Sequence, residues 1–241
     1  MLLRREMGRD RISEIVGLTT PWLQSELFES LVELNGQCLE LLAEQALTQP
    51  VQGSLLLRQV GEIWRSLDSH AKQRAAACPY LLLDVGFADS SRWQWMDSRQ
   101  VSTTLPAPYS TFFTVPRAVP VARQVFIYAW HLARSKSVAT QILLGMPSHC
   151  SHSISACTLP QVHEIAERHH GWLRPRWPSK VKMWRDLLLA AASGEALALE
   201  NARMYGLQLL AAECRAASIK AIIFEPRPEM RTAVRTRRLT A

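Results

Sequence analysis

Apolar residues recur along most of this chain at intervals of three and four, the spacing that gathers side chains on one face of an α-helix. The clearest run is Leu27, Leu31, Leu34, Cys38 and Leu41. Thr20 is suited to cap its start, and Pro21 suits the first helical position, where the missing N–H goes unused. The stripe extends to about Leu47, and Pro50 ends it. Its heptad-like spacing has two readings: the core-facing side of an ordinary helix, or a partner interface made of Leu27, Leu31, Leu34 and Leu41.

The same period predicts a helix from Ser54 to Ser66 with Leu57, Val60 and Trp64 inward, and a third from Asp68 that ends before Pro79. Tyr80 to Gly86 reads equally as a short strand or a buried turn of helix. From 97 to 120 the pattern breaks. Pro106, Pro108, Pro116 and Pro120 stand in a Ser/Thr-rich stretch that predicts an irregular connection, pinned to a surface by Phe112 and Phe113. Helical spacing resumes over Val121–Ser135, with Val125, Tyr128, Ala129 and Leu132 on the apolar side. Further helices are expected over Ser137–Leu144, capped by Gly145, and over Pro147–Ala156. Thr158-Leu-Pro-Gln161 is a capping-box pattern opening a helix to His170, with Gly171 as its stop. Pro178–Ser193 and Glu195–Ser218 follow, separated by Gly194. No internal repeat is present. The prediction is an all-α, multi-helix globular bundle: an N-terminal helical region 1–96, a Pro/Ser/Thr-rich connection 97–120, a C-terminal helical region 121–225, and a disordered basic tail 226–241.

Composition narrows the class. Of 241 residues, 48% are apolar and 20% charged, enough for one sizeable core or two small ones. The net charge of +7 is uneven, because Arg227, Arg231, Arg235, Arg237 and Arg238 against Glu229 alone give +4 in the last fifteen residues. The helical part is therefore only mildly basic. Five scattered cysteines without a CxxC argue against a disulfide framework and for a reducing compartment. No run approaches the apolar length of a membrane span, and the polar N-terminus lacks the core of a signal peptide, so the expected location is the cytoplasm, without membrane attachment.

Sequence signatures of catalysis fail. There is no Gly-x-Gly, no phosphate-binding GxxxxGK[ST] and no Gly-x-Ser-x-Gly. His163-Glu164-Ile-Ala-Glu167 falls one residue short of HExxH and reads as a solvated helix face. His149, Cys150, His152 and Cys157 form the densest Cys/His cluster, but Cys150-x-His152 is too tight for the usual zinc knuckle, and Cys150 and Cys157 read more simply as small buried apolar residues. The expectation is no enzyme, no cofactor, no metal and no small-molecule substrate. The densest functional signal is the basic–aromatic stretch Arg168 to Arg185, where Arg174, Arg176, Lys180, Lys182 and Arg185 stand among Trp172, Trp177 and Trp184. Such cations neutralise phosphates, and the start of the Pro178 helix adds N–H groups that favour an anion. The layout is helix, turn, helix, with a connection longer than that of a helix-turn-helix. Arg174 and Arg176 have a structural alternative, stacking on Trp172 and Trp177 or capping carbonyls.

Residues 125–177 resemble FlhD, a subunit of a bacterial flagellar transcription activator. The resemblance runs through Tyr128-Ala-Trp-His-Leu-Ala133, Ser137-Val-Ala-Thr-Gln-Ile-Leu-Leu-Gly145-Met146, Ile154, Thr158-Leu-Pro-Gln161, Ile165-Ala-Glu167 and Arg176-Trp177, in order and without gaps. It implies an all-α, dimer-forming, non-enzymatic protein that works on promoter DNA with a partner regulator. Residues 1–120 have no counterpart, and Leu173 replaces a family cysteine, so no inter-subunit disulfide is carried over. The leading expectation is a transcriptional regulator subunit contacting DNA through Arg174, Arg176, Lys180, Lys182 and Arg185. The alternative is a helical protein–protein adaptor or assembly factor, as homodimer or with another protein, using the Leu27–Leu41 stripe and tryptophan-rich surfaces.

Overall fold

The computed structural model describes residues 26–48, 54–97 and 112–224. The Thr20–Pro21 start, the body of the proline-rich connection and the arginine tail lie outside the described residues. Ten α-helices are described: α1 Glu26–Thr48, α2 Leu55–Ser66, α3 Ser69–Ala76, α4 Ser90–Asp97, α5 Val115–Ser135, α6 Ser137–Leu144, α7 Ser148–Ser155, α8 Leu159–Arg168, α9 Val181–Ser193 and α10 Ala196–Phe224. Between them lie a 3-10 turn, His170–Trp172, and two short strands, β1 Leu83–Asp84 and β2 Arg174–Pro175. The strands pair antiparallel, Leu83 opposite Pro175 and Asp84 opposite Arg174. The fold is thus mostly helical, and the ambiguous 80–86 stretch contains a strand.

Local chemistry accounts for most boundaries. The Ser54 hydroxyl accepts the Leu57 N–H and the Asp68 carboxylate accepts the Ala71 N–H, capping α2 and α3. Gly145 (φ 63°) and Gly194 (φ 71°) end α6 and α9 in the left-handed conformation that other residues resist. At α8 the expected capping box is present: the Thr158 N–H donates to Gln161 Oε1 at 2.8 Å, and the Gln161 N–H faces the Thr158 side chain.

One boundary corrects the sequence reading. α5 begins at Val115, so the last residues of the expected connection are helical. Pro116 occupies an N-terminal position where an N–H has no intrahelical partner in any case. Pro120 lies one turn further in, and the carbonyl it leaves unpaired belongs to an exposed turn. Phe113 is buried and Phe112 half-buried, and Gln45 Nε2 holds the Phe112 carbonyl at 2.8 Å, so the pinning holds.

The two helical regions share one core. α1 packs on α2, α3 and α5; α9 lies against α2, α3 and α10; α5 carries α6, α7 and α8. Leu31, Leu34 and Leu41 belong to the same buried cluster as Val125, Trp184 and Leu210, and half-buried Leu27 packs against it. This overturns the partner-interface reading of that stripe, because the protein's own core consumes it. Trp64 meets Trp184 at 5.7 Å between α2 and α9, and Trp93 meets Phe126 at 6.2 Å between α4 and α5. No helix among the described residues is long and apolar enough to cross a membrane.

Candidate functional site

The segment from His169 to Lys180 joins the helices α8 and α9. It begins with a compact stack. His169 lies on Trp172 at 4.1 Å between ring centres, and the Arg92 guanidinium sits 4.9 Å above Trp172. Burial pushes the His169 pKa down to about 4, helped by the neighbouring charges of Arg168, Arg92 and His170, so the ring is neutral near pH 7.

The chain then straightens into β2. Arg174 reaches across the ladder to Asp84, its Nε and Nη2 donating to Oδ2 at 3.1 and 2.8 Å. The other oxygen of Asp84 accepts the N–H groups of Gly86 and Phe87. Burial works to raise the Asp84 pKa. The charges of Arg176 and Arg174, with these hydrogen bonds, outweigh it and hold the carboxyl below its usual value.

Arg176 points the other way, into the protein, and is 3% exposed. Its Nε donates to the Leu81 carbonyl at 3.0 Å and its Nη2 to the Leu144 carbonyl at 2.8 Å, while its own N–H donates to the Leu82 carbonyl at 2.7 Å. The Arg176 carbonyl accepts the Trp184 indole N–H at 2.8 Å. The guanidinium also sits near the rings of Phe87 and Trp177. Its ion pair with Glu213 is longer, 3.3 Å, and burial pushes the Glu213 carboxyl up against the Arg176 charge. The carbonyls therefore hold this arginine more than the carboxylate does. Trp177 next to it has φ +50°, an uncommon conformation for a side chain of this size, fixed by packing on Tyr80 at 5.6 Å.

On α9, Met183, Trp184, Leu187, Leu188 and Ala191 are buried, while Val181 is half-buried. Lys182 is exposed and paired with Asp186 one turn on. Lys180 and Arg185 are exposed and have no carboxylate partner among the described residues. No side chain caps the N-terminus of α9.

The five cations expected to form one surface therefore divide. Arg176 is removed from it by burial, a correction to the sequence reading. Arg174 is committed to the strand ladder. Lys180, Lys182 and Arg185 remain on the outside around the first turns of α9. The connection, with its 3-10 turn and paired strand, is also no helix-turn-helix.

The Cys/His stretch does not converge. Cys150 is buried, and burial pushes its thiol up to about 12. His149 shares a 2.7 Å hydrogen bond with the Ser90 hydroxyl, tying α7 to α4. Glu164 and Glu167 are paired with Arg168 and Arg123. Among the described residues no group of three or more His, Cys, Asp or Glu is placed to hold a metal ion.

The polar residues that organise this region were not singled out in the sequence: Asn35, Asp84 and Glu213. Asn35 is fully buried in α1, donating to the carbonyls of Ala76 and Tyr80 and accepting the Leu82 N–H at 2.7 Å. The available signal was an amide beside the apolar stripe, immediately after Leu34. Asp84, within Leu-Leu-Leu-Asp-Val, was likewise a lone charge in an apolar run. Comparison of the chain with protein-family models, with curated proteins and with solved structures finds no match.

Proposed function

We propose that this chain is a non-enzymatic subunit of a cytoplasmic, DNA-associated transcriptional regulator, related in kind to FlhD. The observation that carries the reading is the first part of α9, where Lys180, Lys182 and Arg185 stand exposed around a helix N-terminus that no side chain caps. Backbone N–H groups, the helix dipole and flexible cationic side chains together favour phosphate oxygens. The FlhD-like stretch supports the same reading, and the five tail arginines add sequence-independent affinity for a polyanion. Arg174 contributes to long-range attraction only, because its guanidinium is engaged by Asp84.

The contact is a phosphate-positioning one, and sequence discrimination falls to a partner regulator. Fluorescence anisotropy with duplex DNA tests this. Binding is expected at low salt and declines steeply as salt rises. Replacing Lys180 and Arg185 by Ala should lower the slope of log K against log salt by about 0.9 for each phosphate that is no longer neutralised. No affinity at low salt would refute the reading. The adaptor alternative no longer has the Leu27–Leu41 surface, which the core covers.

A further inference from the structure

Arg203, half-buried on α10, is a cation that no carboxylate answers. Its Nη2 donates to the Arg74 carbonyl at 2.8 Å, in the last turn of α3. Arg74 repeats the arrangement, its Nε donating to the Ala191 carbonyl at 2.7 Å in the last turn of α9. Carbonyls at helix C-termini suit guanidinium groups, but they carry only partial charge. Neither arginine forms an ion pair among the described residues, and Glu200, one turn before Arg203 on α10, forms none with it.

The same place holds donors without acceptors. Arg203 Nε and the Tyr80 hydroxyl are both buried with no hydrogen-bond partner, and Tyr80 is 0% exposed. The two groups are neighbours, close enough for the Arg203 charge to act on the hydroxyl. Gly206 lies one turn beyond Arg203 on the same face of α10, and its missing Cβ lets the Tyr80 hydroxyl come against the helix. The Cys78 thiol lies beside both donors. Burial pushes its pKa up to about 11, so it is neutral, and it gives its hydrogen to the Ala75 carbonyl at 3.2 Å. A neutral sulfur is a weak acceptor and supplies no counter-charge. A third buried donor, the Trp177 indole N–H, is turned toward Glu213 and stands apart from this group.

We propose that the junction of α3 and α10, beside the end of α9, binds a small inorganic anion of chloride size, held by Arg203 Nε and the Tyr80 hydroxyl. Buried donors left unpaired cost free energy, and a half-buried guanidinium favours a counter-ion; one anion satisfies both. The charge of Arg74 adds to the attraction. Both donor atoms are shut off from solvent, which selects a monatomic ion over phosphate or a larger carboxylate. The site uses none of the α9 cations, so it stands or falls apart from the DNA contact.

Thermal unfolding of the full chain, followed by circular dichroism as sodium chloride replaces sodium gluconate at constant ionic strength, tests the site. For a Kd of about 1 mM, the midpoint should rise by roughly 5–9 °C between about 1 and 100 mM chloride. Tyr80→Phe removes an unpaired hydroxyl. It should leave the midpoint in gluconate unchanged or raised and lose most of the chloride response. Arg203→Gln should lose the response entirely. Line broadening of the chloride NMR signal by the folded chain, absent with Arg203→Gln, reads binding without unfolding. A midpoint indifferent to chloride overturns the proposal and leaves water at the donors. A chloride response that both variants keep is a general salt effect and overturns it equally. A response to phosphate that the variants abolish, with none to chloride, overturns the choice of a monatomic ion.

Discussion

Arg176 and Asn35 are polar residues whose roles lie in joining backbone segments. Arg176 satisfies carbonyls at Leu81, just before β1, and at Leu144, the end of α6. Arg176→Met keeps the length of the side chain and removes the donors. It should cost about 3 kcal/mol or more, read from denaturant unfolding, since buried acceptors are left without charged partners. DNA affinity per folded molecule should stay unchanged, which separates it from Lys180 and Arg185. Asn35→Ala strands two carbonyls and one N–H. A destabilisation of similar size is expected there. His169 supplies a pH signature. Its folded pKa, about 4, lies below the ordinary value of 6.5, so between those limits the unfolded chain binds more protons and stability falls as pH drops. The decrease is on the order of 2 kcal/mol. His169→Phe keeps a ring on Trp172 and should flatten the stability–pH curve between pH 6.5 and 4. Asp84, held below its usual pKa, adds a second decrease at still lower pH, because its contribution is present above the ordinary carboxyl value and disappears as pH falls through the depressed one.

Among the elements, α10 is placed by close approach as much as by its apolar face. A Cβ on Gly206 would clash with the Tyr80 hydroxyl. Gly206→Ala, ordinarily helix-favouring, should therefore destabilise by about 1–3 kcal/mol, visible as a lower thermal midpoint. At Gly145 a Cβ would meet Leu210 at 2.7 Å, in a backbone conformation already unfavourable for alanine. Helix existence and type were legible in the residues because spacing, capping residues and glycine stops agree. The α6 stop at Gly145 and the α9 stop at Gly194 fall where the sequence puts them. The start of α5 was not legible. Prolines read as breakers in isolation, whereas at a helix N-terminus and in its exposed first turns they are tolerated.

At the scale of the whole molecule, residues on both sides of the proline-rich stretch bury each other, α1 against α5 and α2 against α9. Unfolding followed by Trp fluorescence and by circular dichroism should give one coincident transition. Two separated transitions would mean two independently stable halves. The chain by itself determined that it is mostly helical, because a period of three and four with caps at the ends is a local property of neighbouring residues. It also determined the mild basicity of the helical part and the concentration of arginine beyond Glu225. It did not determine which apolar face meets which, or where each cation points. The Leu27–Leu41 stripe reads alike as core or as partner surface, since periodicity fixes a face and says nothing of what covers it. Arg174 and Arg176, two residues apart in the same stretch, differ completely in exposure. Positions two apart share a face in a regular strand, but β2 ends at Pro175, and only the tertiary structure set Arg174 against Asp84 and buried Arg176 among carbonyls.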